Sequence, residues 1–214
     1  MNEHLKPLLR VEGLECTRND MVLFTGLDFS LIPGEVIQID GPNGCGKTSL
    51  LRIICGLAQA AEGHVYWNGK DINDYAPAFL AQVNYIGHQN GIKNELTPLE
   101  NLDIARKLSF STTSIAQVME ALRTFGLAGY EYTPVRMLSS GQRRRAALSR
   151  LLLNSASLWV LDEPFTSVDD AGRKLIQSVI ESHIGNGGML ILATHEPITI
   201  TNSKFTRMLL NEWK

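Results

Sequence analysis

The stretch Gly41 to Thr48, GPNGCGKT, constrains the fold of this chain more than any other. Three glycines in eight residues allow backbone conformations closed to other residue types. The preceding Glu35 to Asp40 (EVIQID) is a short apolar run of strand character, and the following SLLRIICGL is helical. Strand, glycine loop and helix in that order predict a loop whose successive N–H groups wrap phosphate oxygens, with the positive end of the helix adding to the attraction. In such a loop the Lys47 ammonium reaches the β- and γ-phosphates and the Thr48 hydroxyl ligates Mg²⁺. The expected contact run is Gly41, Pro42, Asn43, Gly44, Cys45, Gly46, Lys47, Thr48 and Ser49.

Three further apolar runs have the character of buried parallel strands: Val83 to His88 (VNYIGH), Leu158 to Glu163 (LWVLDE) and Met189 to His195 (MLILATH). Leu8 to Leu31 contains strand-like pieces, and Gly63 to Ile72 (GHVYWNGKDI) alternates around an Asn-Gly turn, which predicts an antiparallel layer in the N-terminal third. Helical periodicity marks Pro98 to Leu108, Ser114 to Gly126 and Gln142 to Asn154, with the polar STTS at Ser111 to Ser114 as a loop. The expected fold class is α/β: a P-loop core with an N-terminal antiparallel β subdomain and an inserted α-helical subdomain. Residues 1–214 form one domain, with 1–88 and 155–214 as the core and 89–154 as the helical part.

An acidic pair ends the LWVLDE run. Asp162 suits a Mg²⁺ ion and Glu163 suits the polarisation of an attacking water, although such a pair in isolation is more often a helix cap or a solvated turn. Gln89 follows the VNYIGH run, where its amide can touch Mg²⁺ or the lytic water. His195 ends the LILATH run, where its imidazole can reach the γ-phosphate. All sit at carboxyl ends of predicted strands, the edge where open α/β sheets bind ligands.

Composition narrows the field. Lys and Arg total 20 against 22 Asp and Glu, so the chain lacks the positive field that supports strong nucleic-acid binding. Cys16, Cys45 and Cys55 form no CxxC pair, which fits a reducing compartment and argues against zinc. The N-terminal residues lack a signal-peptide core, and no run approaches the roughly 18 apolar residues of a membrane span. Cys45 itself sits where thiol acidity rises at a helix N-terminus, giving either a reactive thiol or a small residue that fits the turn.

The segment Leu138 to Arg150, LSSGQRRRAALSR, opens a helix with a Ser-Ser-Gly turn; its arginines Arg143 to Arg145 are expected on a helix surface with salt bridges. GPNGCGKT, Gln89, LSSGQ, LDEP followed by Ser167-Val168-Asp169, and His195, in that order, resemble the nucleotide-binding domains of ABC transporters over essentially the whole chain. The resemblance implies ATP and Mg²⁺ as cofactors and a head-to-tail homodimer. In it Ser139, Gly141 and Gln142 contact the γ-phosphate held by the partner, and Asp169 communicates between the two sites. Two departures stand out. Ser140 replaces the first glycine of the usual LSGGQ, and Arg18, in LECTRND, occupies the place where the family commonly stacks an aromatic on adenine.

The wording of IGHQNGIKNELTPLENL (Ile86 to Leu102), LWVLDEPFTSVD and GGMLILATHEP is similar to that of the ATPase subunits of cytochrome c maturation systems. That resemblance implies a peripheral subunit at the cytoplasmic face of the bacterial inner membrane, working with a multi-spanning membrane subunit and further maturation subunits. The docking groove is expected after Gln89 and along the helices from Pro98, with capping of that helix as the alternative role for Glu100 and Asn101. Two other classes compete: a soluble ABC ATPase, disfavoured because the chain has no tandem cassette, coiled coil or basic extension, and a non-hydrolysing P-loop module, disfavoured by Lys47, Asp162, Glu163 and His195.

Overall fold

The computed structural model describes residues 8–74, 76–109, 111–196, 198, 200 and 203–213; Met1 to Pro7, part of the stretch that lacks a signal-peptide core, lie outside the described residues. Strands β1 (Leu9–Arg18) and β2 (Met21–Leu31) form a hairpin, followed by β3 (Glu35–Asp40) and helix α1 (Lys47–Ile54). Next come β4 (Glu62–Trp67), β5 (Lys70–Asp71), the short α2 (Ala76–Leu80) and β6 (Val83–Ile86). The helical stretch holds α3 (Pro98–Leu108), α4 (Ile115–Thr124) and α5 (Ser140–Leu148), with a 3₁₀ turn at Ser149–Leu152. The chain closes with β7 (Leu158–Asp162), α6 (Asp170–Gly185), β8 (Met189–Ala193) and β9 (Lys204–Leu209).

Two sheets result. One is antiparallel in the order β2-β1-β4-β5, with β4 and β5 joined through Asn68 and Gly69, both at positive φ as the Asn-Gly turn requires. The other orders β6-β7-β8-β3-β9, every neighbouring pair parallel. Strands β3, β7 and β8 are buried along their full length, which is why they read as unbroken apolar runs rather than alternating ones. Their side chains still divide by face. Val160 and Ile191 join the core beneath α1 and the antiparallel sheet, whereas Trp159, Leu161, Leu190 and Leu192 join a second core against Ile176, Val179 and Ile180 of α6.

The helical stretch carries its own smaller core of Leu102, Val118, Leu122, Leu127, Ala146 and Leu153. Helix α3 begins in a capping box: the Glu100 N–H donates to Thr97 Oγ1, and Glu100 Oε2 accepts from the Thr97 N–H at 2.8 Å. Asn101 is buried and accepts from the Lys93 N–H at 2.7 Å while donating to the carbonyls of Lys93 and Thr97. Glu100 therefore does the capping named above, and Asn101 instead ties the Lys93 backbone to the start of the helix.

Several boundaries differ from the sequence expectation. Strand β6 stops at Ile86, β7 at Asp162 and β8 at Ala193, each one or two residues short, because the final residues turn out of the sheet. Glu163 does so at φ 50, a left-handed conformation. Helix α5 starts at Ser140, earlier than expected, and tightens into the 3₁₀ turn after Leu148. Helix α6 and edge strand β9 have no counterpart in the sequence reading.

Candidate active site

Register places the carboxyl ends of three strands side by side. Ala193 lies opposite both Ile39 of β3 and Asp162 of β7, so the residues that follow them, Gly41, Glu163 and His195, leave the sheet at one level.

The loop after β3 is shaped by glycines where the backbone needs them. Gly46 caps α1 at φ 107, and a β-carbon there would lie 3.2 Å from Leu23 and Phe24 of β2. Gly41, at φ 148, has the Cys45 sulfur 2.6 Å from where its β-carbon would be. Cys45 is thus a buried small residue beneath the loop, 6% exposed and absent from the cleft lining. That favours the packing role over the reactive thiol. Helix α1 has no side-chain cap and no acidic residue in its first turn, leaving its N-terminal N–H groups for an anion.

Lys47 is buried, and its Nζ donates to the carbonyls of Gly41 at 2.6 Å and Pro42 at 3.2 Å. Thr48 Oγ1 donates to Asp162 Oδ2 at 2.7 Å. Asp162 is 2% exposed. His195 Nε2 lies 3.3 Å from Lys47 Nζ, 3.0 Å from Asn43 Oδ1 and 3.6 Å from Glu163 Oε1. The one ring nitrogen takes one role at a time, accepting from Lys47 in one tautomer and donating to Asn43 in the other, with the Glu163 carboxylate just beyond hydrogen-bond reach. The Glu163 N–H donates to the Ala193 carbonyl at 2.8 Å, fixing the turn that presents its carboxylate. These groups line a cleft of about 770 Å³ together with Gly44, Ser49 and Arg18.

Arg18 ends β1 just before the tight turn Asn19-Asp20, whose φ values are 49 and 60. Among the described residues lining the cleft there is no Phe, Tyr or Trp, and Met21 and Leu23 are its apolar members.

Gln89 is not brought into this cleft. It lines a neighbouring one of about 500 Å³ with Ser140, Arg143 and Ser167, and His88 and Thr166 border both. Ser139, Gly141, Gln142 and Asp169 also stand outside the cleft that Lys47 lines. Ser139 caps α5, accepting from the Gln142 N–H at 3.2 Å while Gln142 Oε1 accepts from the Ser139 N–H at 2.9 Å. Gly141 is sterically required: its β-carbon would lie 2.8 Å from the Ser167 carbonyl. Ser140 is exposed and already helical, so its side chain meets no such obstacle. Asp169 caps α6 by accepting from the Gly172 N–H at 2.9 Å.

The arginines correct the sequence expectation. Arg144 is 3% exposed rather than on the surface, and it donates only to carbonyl and amide oxygens: Asp162 O at 2.7 Å, Gly87 O at 2.9 Å, Glu163 O at 3.0 Å, Asn90 Oδ1 at 3.2 Å and Pro164 O at 3.4 Å. Burial pushes its pKa down to about 10, a fall that Asp162 and Glu163 oppose. The signal lay in the helix period: Arg144 shares the i, i+3, i+4, i+7 stripe with Ala147, Leu148 and Leu151, all buried.

The fold is that of a P-loop ATP-binding cassette. Residues 24–166 match the family model of ABC transporters, and the chain belongs to that family. Its relatives include the cytochrome c biogenesis ATP-binding export protein CcmA of Methylococcus capsulatus, 45% identical over 90% of this chain and 93% of the relative. CcmA of Hahella chejuensis is 46% identical over 91% of this chain and 92% of its own length. Among solved structures, an ABC transporter ATP-binding protein of Pyrococcus furiosus superposes with a TM-score of 0.83 at 20% identity, covering 96% of this chain and 98% of that one. A dimeric ATP-binding cassette bound to ADP and phosphate after hydrolysis gives 0.79 at 21% identity over 88% of each chain.

Proposed function

We propose that the chain is the ATP-hydrolysing, energy-coupling subunit of an ABC complex for c-type cytochrome biogenesis. The observation that carries this is the convergence of Lys47, Thr48, Asp162, Glu163 and His195 on one cleft, in a chain 42–46% identical to CcmA proteins over roughly nine-tenths of its length.

In this reading the glycine loop and the open N-terminus of α1 bind the triphosphate, and the Lys47 ammonium neutralises its terminal charge. The hydroxyl of Thr48 and carboxylate of Asp162 are hard oxygen donors suited to Mg²⁺, and among the described residues no cluster of three His, Cys, Asp or Glu forms a protein cage. Few protein ligands, with phosphate oxygens and water for the rest, is the usual Mg²⁺ arrangement. Held by the Thr48 hydroxyl and the Asp162 carboxylate, Mg²⁺ would supply charge neutralisation to the triphosphate. Glu163 acts as the general base toward water, and His195 donates to the γ-phosphate from its place between Lys47 and Glu163. Gln89, which lines the neighbouring cleft, senses the segment that follows it.

The signature residues Ser139, Gly141 and Gln142 lie outside their own chain's cleft, which supports a homodimer in which each chain completes the other's site, with Asp169 between the two. No helix among the described residues is long and apolar enough to cross a membrane. The likeness to CcmA export proteins supports partnership with a multi-spanning CcmB-like subunit and further cytochrome c maturation subunits, with the chain peripheral at the cytoplasmic face of the bacterial inner membrane.

The test is Glu163→Gln. Turnover should fall by about 10² to 10⁴, the range of general-base catalysis. With Mg-ATP the variant should elute as a dimer and co-purify from detergent-solubilised membranes with a multi-spanning protein. Monomeric elution at saturating nucleotide would overturn the sandwich, and recovery of soluble partners alone would overturn the membrane role.

A further inference from the structure

Resting on that reading, we infer that Arg144 is a positioning residue that ties helix α5 to the catalytic strand end and to the Gln89 loop. Every N–H of its guanidinium has an acceptor: five donors, five bonds. Three of those bonds hold the consecutive carbonyls of Asp162, Glu163 and Pro164, bracketing the residue whose backbone leaves β7 at φ 50. The other two hold Gly87 and Asn90, the residues that flank His88 and Gln89. Arg150, from the turn that continues α5, adds bonds to the Asn90 carbonyl at 2.9 Å and the Gly91 carbonyl at 3.4 Å.

Helix α5 begins at the signature. Ser140 stands one turn before Arg144, so the element that meets the partner's nucleotide grips, a turn later, the backbone that aims Glu163 and the loop that carries Gln89. A rigid helix with such contacts passes a displacement at its N-terminus directly to both.

The alternative is a purely structural arginine. Two observations favour positioning. Arg144 forms no ion pair with a carboxylate among the described residues: its direct contacts are all carbonyl and amide oxygens, with Asp162 and Glu163 opposing its desolvation only through space, a costly way merely to fill space. Its acceptors also lie on the two segments that border both clefts rather than being spread through the core.

The experiment compares the full-length wild type with Arg144→Gln, Arg144→Lys and Asn90→Ala, measuring kcat, KM for ATP, ATP affinity and melting temperature. Asn90→Ala removes one acceptor from the guanidinium without placing a new group in the core, so it keeps the test open if Arg144→Gln does not fold. Positioning predicts that Arg144→Gln loses at least tenfold in kcat with KM and ATP affinity within about threefold. Arg144→Lys, which keeps the charge but not the fork, should fall between it and the wild type. Asn90→Ala should lower kcat by about threefold or more at an unchanged melting temperature. Full kcat in Asn90→Ala, or losses in kcat matched by equal losses in ATP affinity, would overturn the inference. A wild-type chain that binds ATP without hydrolysing it would defeat the enzymatic reading itself, which the variants do not touch.

Discussion

Thr48 and Asp162, 114 residues apart in sequence, meet through a 2.7 Å hydrogen bond from the threonine hydroxyl to the carboxylate. The bond joins the first turn of α1 to the end of β7, so two segments with separate sequence motifs arrive as one donor set. Thr48→Val keeps the shape and removes the hydroxyl. It should destabilise the fold by about 1–3 kcal/mol, because a buried carboxylate loses a donor, and lower Mg²⁺-dependent turnover more than tenfold. Thr48→Ser should retain both. Denaturant melts and ATPase assays check this, and equal activity in the valine and serine variants would refute the role of the hydroxyl.

The signature departs from LSGGQ at a position that tolerates it. Ser140→Gly should leave turnover within about twofold of wild type, since Ser140 is exposed and helical. Gly141→Ala should behave differently: its new β-carbon would press the Ser167 carbonyl at 2.8 Å, an overpacking cost of about 1–3 kcal/mol. The result to look for is weaker ATP-driven dimerisation by size-exclusion chromatography in Gly141→Ala alone. If Ser140→Gly were the damaging change, the steric assignment would be reversed.

The lining of the cleft offers a guanidinium where an aromatic would otherwise meet a base. Stacking on Arg18 is compatible with any purine, so the chain should discriminate poorly between ATP and GTP. Arg18→Ala should raise KM for ATP several-fold with little change in kcat, and Arg18→Tyr should restore it. A KM unmoved by Arg18→Ala would mean that the base lies elsewhere.

Much of this architecture was legible in the sequence. The glycine loop, the buried runs that form β3, β7 and β8, and the N-terminal hairpins carry local signals of period and turn chemistry that tertiary packing did not override. The chain ends of those strands were less legible, because Glu163 leaves β7 in a left-handed conformation that nothing in its residue type announces. Strand β9 was missed because only Met208 is buried in it and its pattern is mostly exposed, as an edge strand's is. Arg144 was misread for a different reason: charge is a surface signal by default, and the carbonyls that accept its five bonds come from segments about 20 and 57 residues away.

His183, outside the cleft, should make the fold sensitive to acid. Its ring stacks on Trp159 with centroids 3.8 Å apart and planes 3° from parallel, and its Nε2 lies 3.3 Å from the Met189 carbonyl. Burial holds its pKa below the ordinary 6.5, with the carbonyls of Met189 and Ser157 opposing that fall. The folded state therefore binds this proton less readily than the unfolded chain. The stabilising contribution is complete above pH 6.5, declines as pH falls through that value, and levels off once the folded ring is protonated too. His183→Phe keeps an aromatic ring over Trp159 but does not titrate. Thermal melts from pH 7.5 to 5 should show a shallower fall in Tm for His183→Phe than for the wild type, even if the variant starts lower through loss of the bond to Met189. Parallel curves would show that acid sensitivity in this range belongs to other groups and not to the ring buried against Trp159.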